Sequence, residues 1–593
     1  MTTVETYGDQ FCDWLIEEGY THCFFVAGGN IMHLLNSARK RFTCIPVIHE
    51  VASCIAVEYF NESSEGNKAF ALVTAGPGIT NGITGIAGAW LESREMLVVG
   101  GQVKSSDLAS PELRQRGIQE INGISLTSSI TKISLQIATP LPKQEVMDAV
   151  HLASQGKPGP VFIEFCLDAQ GAPPLDIQLG RFKEPNYLDS KIESQDVDAV
   201  MKLLLSSMRP VFLFGAGVSR QASQELLVRL SNLGIPIMTT WNAMDRIDSS
   251  DPLYWGRPNT WGQRSANVLI QQSDLIIAIG TRLGLQQTGF NWQGFAPVAK
   301  VVQVDIDDAE LTKMHPRIDL AIKADANAFL VTFIEAAELQ QIPNLSEWQS
   351  FGQFVCTMLP NNEDSNNRES GFINPYDFVE QLSNNLTAEN LIIPCSSGGA
   401  FTTMMQGFSQ KIGQKVITNK ALASMGYGLS GAIGAAYANP GRNVILVEGD
   451  GGFAQNLQEI GTVATSSLPI KIFIYDNGGY ASIRMTQANY FNDVYIGCDR
   501  STGLGLPDWE KLFAAYDIEV TTLDPTQPFS PNVLERLRSK NPSAFIVPIN
   551  PKQTYFPKIT SRVLANGQME SNPLHLMTPA LADAVSLVVF KYI

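Results

Sequence analysis

The sequence predicts an α/β protein of three doubly wound parallel-sheet domains. Three observations predict it. First, short apolar, β-branched runs alternate with helical patterns along the 593 residues, at 21–26, 69–74, 96–99, 160–164, 210–214, 275–279, 300–304, 443–447 and 470–475. Second, the runs are continuously apolar rather than alternating, as strands are when helices cover both faces of a parallel sheet. Third, two loop-like stretches interrupt the alternation, AQGAPPLDIQLGRFKEPN at 169–186 and PNNEDSNNRES at 360–370, and such composition marks linkers.

These breaks delimit an N-terminal domain over 1–170, a central domain over 188–340 and a C-terminal domain over 373–551. An irregular tail, 552–593, turns helical at its end. At roughly 100–200 residues per domain the length suits this division. The first and third domains each carry a glycine-rich strand-to-helix turn, so they are expected to be structural relatives.

Composition narrows the function. Hydrophobic residues make up 44% and charged residues 17%, and the net charge is -16. That balance offers no basic face to neutralise phosphates, so nucleic acid is excluded as the main partner. The eight cysteines are scattered without a CxxC pair, as in a reduced, cytoplasmic protein. The six histidines form no zinc-like cluster. The start, MTTVETYGDQFCDWLIEEGY, lacks a basic and apolar leader, and no run of eighteen apolar residues would cross a membrane.

The segment 443–480, NVILVEGDGGFAQNLQEIGTVATSSLPIKIFIYDNGGY, carries the chemistry. A strand runs into Gly449-Asp450-Gly451, a helix is expected over 453–466, and a second strand ends at Asn477-Gly478-Gly479. In such a βαβ unit the two strands are neighbours about 4.8 Å apart. Asp450 and Asn477 then lie side by side at the strand ends, where open α/β sheets bind ligands. One carboxylate, one amide oxygen and a backbone carbonyl suit Mg²⁺, which takes its remaining oxygens from phosphate and water. A bare GDG would favour an ordinary turn; the Asn twenty-seven residues on reverses that.

GDG, NLQE and the distant Asn together resemble the thiamine-diphosphate (ThDP) motif of the acetolactate synthase and pyruvate decarboxylase superfamily. The resemblance spans nearly the whole chain. It implies a pyrimidine-binding first domain, a central domain and a diphosphate-binding third domain. It further implies that Asp450, Asn477 and the Gly479 carbonyl hold Mg²⁺, with Gly449, Gly451, Gly452 and Tyr480 around the cofactor. Ser397, Gly398, Gly399 and Ala400 resemble the loop that touches the diphosphate. Met425, in SMGYGL, matches the apolar wedge that bends the cofactor.

ThDP chemistry needs a carboxylate on the aminopyrimidine, so that the cofactor supplies its own base. Glu50, at the end of IPVIHE, fits that role by resemblance, with Gly28 of FVAGG upstream and Gly76 of TAGPG downstream in the family's order. Taken alone, Glu50 reads equally as an acid suiting a helix N-terminus.

Ile118-Gln119-Glu120 resembles the FQE segment of acetolactate synthases, which implies that Gln119 faces the reacting centre. Arg114 and Arg116 read either as solvated surface or as partners of a substrate carboxylate or phosphate. The His-His pair of the pyruvate decarboxylase branch is absent from GQVKSSDLAS. Thr486 stands where branched-chain acetohydroxyacid synthases carry a Trp that shapes the acceptor pocket. GYASIRMTQ and the tail resemble synthase-like proteins found with polysaccharide and deoxysugar genes, among them enzymes that add an acetyl unit from pyruvate to a keto-sugar nucleotide. The central domain, with VFLFGAGVSR, resembles one that binds FAD in acetolactate synthases and ADP or nothing elsewhere; Arg282 and Asp325 stand where such a nucleotide would be held.

The expectation is a ThDP- and Mg²⁺-dependent carboligase. It would decarboxylate pyruvate or a similar 2-oxo acid and pass the acyl unit to a second carbonyl compound, working as a homodimer or homotetramer with sites at the subunit interface. A 2-oxo-acid decarboxylase releasing an aldehyde, and an idle ThDP-binding scaffold, are the alternatives.

Overall fold

The computed structural model describes residues 4–176, 192–563 and 567–593. The expected linker at 169–186 opens on a helical turn, Leu167–Gly171, and its part beyond residue 176 lies outside the described residues. Three parallel sheets follow one another along the chain.

The first holds β1 (Tyr20–Phe25), β2 (Thr43–Pro46), β3 (Lys68–Val73), β4 (Met96–Gln102), β5 (Ile133–Ile137) and β6 (Pro160–Cys166), in the order β2-β1-β3-β4-β6-β5. The second holds β7 (Pro210–Phe214), β8 (Ile237–Thr239), β9 (Leu275–Ile279), β10 (Lys300–Asp305) and β11 (Leu320–Lys323), in the order β11-β10-β9-β7-β8. In the third, β12 (Leu391–Ile393), β13 (Val444–Gly449), β14 (Ile470–Asp476), β15 (Glu519–Thr522) and β16 (Ser543–Pro548) lie in the order β12-β13-β14-β16-β15. That repeats the path β1-β3-β4-β6-β5 of the first sheet, as the matching glycine turns led us to expect.

Among the described residues the chain forms two compact units. One comprises 4–176, 390–401 and 417–548; the other comprises 192–389, 402–416 and 549–593. The first unit joins the first and third sheets in one apolar core. Helix α1 (Glu50–Ser63) packs on helix α2 (Pro77–Glu92) and on helix α3 (Tyr427–Ala438). A Cβ at Gly434 of α3 would come within 2.0 Å of the Ala56 carbonyl, so only glycine permits this approach.

Between the helices lies a buried polar cluster. The Glu58 carboxylate, 0% exposed, accepts from Arg94 Nη1 at 2.6 Å, Asn419 Nδ2 at 2.8 Å and Tyr427 OH at 3.1 Å. Arg94 Nη2 also donates to the Thr418 carbonyl at 2.8 Å. A buried charge persists only when paired and hydrogen-bonded this fully.

The second unit packs the second sheet on its helices. The tail holds a short antiparallel pair, Ser561–Val563 with Met569–Ser571, and a helix, Asp583–Val589, whose Val589 joins that core. No helix among the described residues is long and apolar enough to cross a membrane.

Candidate active site

Asp450 stands at the end of β13 and Asn477 just beyond β14, on paired parallel strands in which Gly449 is opposite Tyr475. Both side chains are buried. Asp450 Oδ2 accepts the N–H groups of Gly478 at 2.8 Å, Gly479 at 2.9 Å and Asn477 at 3.2 Å, and Oδ1 accepts that of Gly451 at 2.7 Å. The carboxylate thus shapes the turn that carries Asn477. Burial pushes the Asp450 carboxyl up to about 7, helped by the nearby Asp476 and opposed by these amides.

Asn477 Oδ1 is buried and makes no hydrogen bond. An orphaned buried acceptor is costly, and beside a buried carboxylate it fits a cation. Gly479 has φ +130°, and a Cβ there would meet the Cys498 carbonyl at 2.3 Å; this residue has to be glycine for its carbonyl to be presented in the turn. No group of three or more His, Cys, Asp or Glu among the described residues could hold a metal. A cation here would therefore add amide, carbonyl, water and phosphate oxygens to the Asp450 carboxylate, a set that suits Mg²⁺.

The turn is buttressed from outside. Arg484 Nη2 donates to the Asn477 carbonyl at 2.8 Å, and Tyr480 N–H to the Cys498 carbonyl at 2.8 Å. Tyr480 lies over Gly451, where a Cβ would meet its ring at 2.4 Å. Gly449 faces open space, and Gly452 packs beside the Glu448 carboxylate.

The expected helix over 453–466 is broken, and we correct it. Asp450–Phe453 is one α-turn, Leu457–Glu459 is 3-10, and Ile460–Thr465 resumes as α. The reason lies in NLQE, whose polar side chains make tertiary bonds. Asn456 Nδ2 donates to the Gly426 carbonyl at 2.7 Å. The Glu459 carboxylate accepts the Ile48 and His49 N–H groups, each at 3.1 Å, and Thr462 Oγ1 at 2.7 Å.

Those bonds reach the two other parts of the site. Glu459 fixes the backbone that precedes Glu50. Glu50 opens α1, is 8% exposed, and accepts Asn81 Nδ2 on Oε2 at 3.0 Å. Asn456 fixes Gly426, φ +79°, next to Met425. The Met425 side chain is 38% exposed, an apolar group left for something to cover. Glu448, which our sequence reading missed, is buried against the turn after Met425, and burial pushes its carboxyl up to about 8 against the nearby N–H groups of Gly428, Leu429 and Gly426. A Glu immediately before GDG was the available signal. In the loop 396–400, Ser396 Oγ donates to the Ser424 carbonyl; Ser397 is half-buried, Gly398 takes φ +81° with open space at its Cβ, Gly399 is half-buried and Ala400 is buried.

The remaining first-domain residues also converge. Gly28 meets the Thr74 side chain, which a Cβ would strike at 2.3 Å, and Gly76, φ +65°, would strike the Gln119 carbonyl at 2.5 Å. The segments FVAGG, TAGPG and IQE are thus in contact. Gln119 is exposed, with φ +62°. Arg114 and Arg116 are exposed, in keeping with solvated surface residues. Thr486 lies exposed on helix α4 (Ala481–Phe491), its Oγ1 donating to the Ser482 carbonyl at 3.0 Å.

Behind the Gln119 loop, Glu164 on β6 is 0% exposed. Burial pushes its carboxyl up to about 7, against donors on Gln136, Gln102 and Gly123 and with Glu120 adding to the rise. From its ordinary 4.5 to about 7 the unfolded chain releases a proton that the folded chain keeps, so this group's stabilisation falls as pH rises through that window. Glu164→Gln removes the effect. Its melting temperature relative to wild type should rise between pH 4.5 and 7 and then level off; a pH-independent difference would refute this.

In the central domain, the glycines of GAG serve backbone packing. Gly217 N–H donates to the Gly280 carbonyl at 3.0 Å, and a Cβ on Gly215 would lie 2.1 Å from the same oxygen. Asp325 caps the helix Ala326–Glu338 through Asn327 and Ala328 N–H. The Arg282 carbonyl accepts from Lys313 Nζ.

Comparison with known proteins agrees with the parallel-sheet fold. The family described as thiamine pyrophosphate enzyme matches in three parts: its N-terminal TPP-binding domain over residues 5–126, its central domain over 197–333, and its C-terminal TPP-binding domain over 397–547. The chain is 30% identical over 522 residues to a probable acetolactate synthase large subunit of Methanocaldococcus jannaschii, covering 85% of each chain. It is 29% identical over 513 residues to the acetolactate synthase isozyme 2 large subunit of Escherichia coli, covering 84% of this chain and 88% of the relative. An acetolactate synthase of Arthrospira platensis is 26% identical over 568 residues, covering 92% and 94%.

Proposed function

We propose, for a chain that belongs to the acetolactate synthase-like branch of the thiamine pyrophosphate enzymes, that Asp450, Asn477 and the Gly479 carbonyl hold Mg²⁺ against the diphosphate of ThDP, and that Glu50 holds the proton its pyrimidine ring requires. The protein is a ThDP-dependent, acetolactate synthase-like carboligase acting on 2-oxo acids. When bound, ThDP supplies carbanion chemistry at a carbonyl carbon, which lets a 2-oxo acid lose CO₂ and pass on its acyl unit. The orphaned Asn477 Oδ1 beside the buried Asp450 carboxylate carries the metal assignment.

The chain's own residues do the rest. Asn81 orients the Glu50 carboxyl from Oε2, and Glu459 holds the backbone before it, so a proton on that carboxyl is presented from one fixed direction. Met425 offers an apolar surface on a turn held by Asn456. Gly449 and Gly398 face open space that a cofactor could take, beside Ser397, Gly399 and Ala400, and Gly28 and Gly76 let the neighbouring first-domain segments close up. Gln119 orients the donor, which we take to be pyruvate, and the exposed Thr486 leaves space for an acceptor larger than a branched-chain synthase admits.

We further infer domains over 1–170, 188–340 and 373–551 with a tail to 593. We also infer a homodimer or homotetramer in which a second copy covers Met425 and the exposed Ile118, 85%, and Ile496, 77%. The free cysteines suit the reducing cytoplasm.

The test is incubation with ThDP, Mg²⁺ and ¹³C-labelled pyruvate, with and without aldehyde or ketone acceptors, followed by NMR. Labelled acetolactate, acetoin or a branched adduct is expected. Acetaldehyde as the dominant product would favour the decarboxylase, and no pyruvate consumption with ThDP bound would overturn pyruvate as donor.

A further inference from the structure

The loop that carries Gln119 is tethered to the sheet beneath it by buried side chains that none of the motifs includes. Gln102, 1% exposed at the end of β4, donates from Nε2 to the Ile121 carbonyl at 2.7 Å and to Glu164 Oε1 at 3.1 Å. Its Oε1 accepts the Val103 N–H at 2.9 Å. The orientation of this amide follows from its partners: a carbonyl and a carboxylate accept, and an N–H donates.

Glu164 in turn accepts Gln136 Nε2 on Oε2 at 2.7 Å and so anchors Gln102, while the Gly123 N–H at the loop's far end donates to the same Ile121 carbonyl at 3.0 Å. Gly123 is packed tightly enough that a Cβ would meet Glu164 Oε1 at 2.3 Å. Within the loop, the Glu120 carboxylate gathers the N–H groups of Ala109, Arg116 and Gly117 at 2.5, 2.7 and 2.9 Å.

Gln119 lies between these two anchors, its carbonyl against the Gly76 turn and its φ at +62°. A non-glycine residue in that region is strained and persists only where its surroundings over-determine it. Within one chain the surrounding loop is exposed, with Leu113 at 56% and Ile118 at 85%, so packing inside the chain does not supply that constraint. The hydrogen bonds do.

We propose that Gln102, anchored on Glu164, is a positioning residue for Gln119: it holds the Ile121 carbonyl and so keeps Gln119 in the left-handed conformation that presents its side chain to the 2-oxo acid. This rests on the reading of Gln119 as a substrate-orienting residue.

A double-mutant cycle on the full-length ThDP-loaded enzyme tests it. Gln119→Ala and Gln102→Leu are each expected to lower kcat/KM for pyruvate by about tenfold, mainly through KM, with ThDP affinity within about twofold of wild type. The double variant should be no worse than Gln119→Ala within about twofold, because one residue acts through the other. Additive losses, or a Gln102→Leu loss that follows ThDP affinity or melting temperature, would overturn the positioning role and leave the Gln119 reading standing. A Gln119→Ala enzyme with wild-type kinetics would overturn that reading and the proposal with it. If Gln102→Leu does not fold, Gln102→Asn, which keeps the amide but falls short of Ile121, enters the same cycle under the same criteria.

Discussion

Glu50→Gln is expected to bind ThDP within a few-fold of wild type and to lose turnover by about 10²–10⁴-fold, the range of a positioned acid–base group. The two effects separate because the side chains differ in charge and hardly in shape. The substituted side chain would still accept from Asn81 through its amide oxygen, and the backbone before it would still be held by Glu459, so the local fold has no reason to change. What the amide lacks is an exchangeable carboxyl proton directed at the cofactor ring. Steady-state rates beside ThDP titration would show this. Wild-type turnover in the variant would sink the Glu50 assignment; parallel loss of ThDP binding and turnover would make Glu50 a binding group instead.

Asp450→Ala is expected to cost more than about a hundredfold in Mg²⁺-dependent ThDP affinity, beyond the 10–100-fold typical of residues one shell out from a metal. Two losses combine. The cation loses its carboxylate ligand, and the amides of Gly451, Asn477, Gly478 and Gly479 lose their shared acceptor. The turn that presents Asn477 Oδ1 and the Gly479 carbonyl then has nothing to close on. Calorimetric titration of ThDP at several Mg²⁺ concentrations measures this, and affinity that remains high and Mg²⁺-dependent would refute it. Thermal melting controls for the fold, because the removed group is buried.

Much of this site could be read in advance, and the legible parts share a property. Asp450 and Asn477 were legible because a βαβ unit converts twenty-seven residues of separation into adjacency at two strand ends. The ends of β7 and β9 matched their expected residues because continuous apolar runs between turn residues have few other solutions. The helix over 453–466 failed for the opposite reason. Its local pattern is helical, but Asn456 and Glu459 find partners at Gly426 and at Ile48–His49, and those bonds outweigh local propensity. Nothing within the segment announces partners some 30 and 410 residues away.

By itself, then, the sequence determined the kind of protein this is: three parallel α/β domains, a ThDP motif in the third, and a glutamate in the first. These depend on periodicity, strand-end spacing and short motifs, all of which are local. The tertiary structure decided how the parts are held: Glu448 behind the wedge, Glu459 behind Glu50, the Glu58–Arg94 cluster between α1 and α3, and Gln102 with Glu164 beneath Gln119. Each is a buried polar group whose partners come from distant stretches of chain. Burial makes an unpaired polar group costly, so the fold must supply the partner; which residue supplies it follows from packing, to which spacing along the chain is blind.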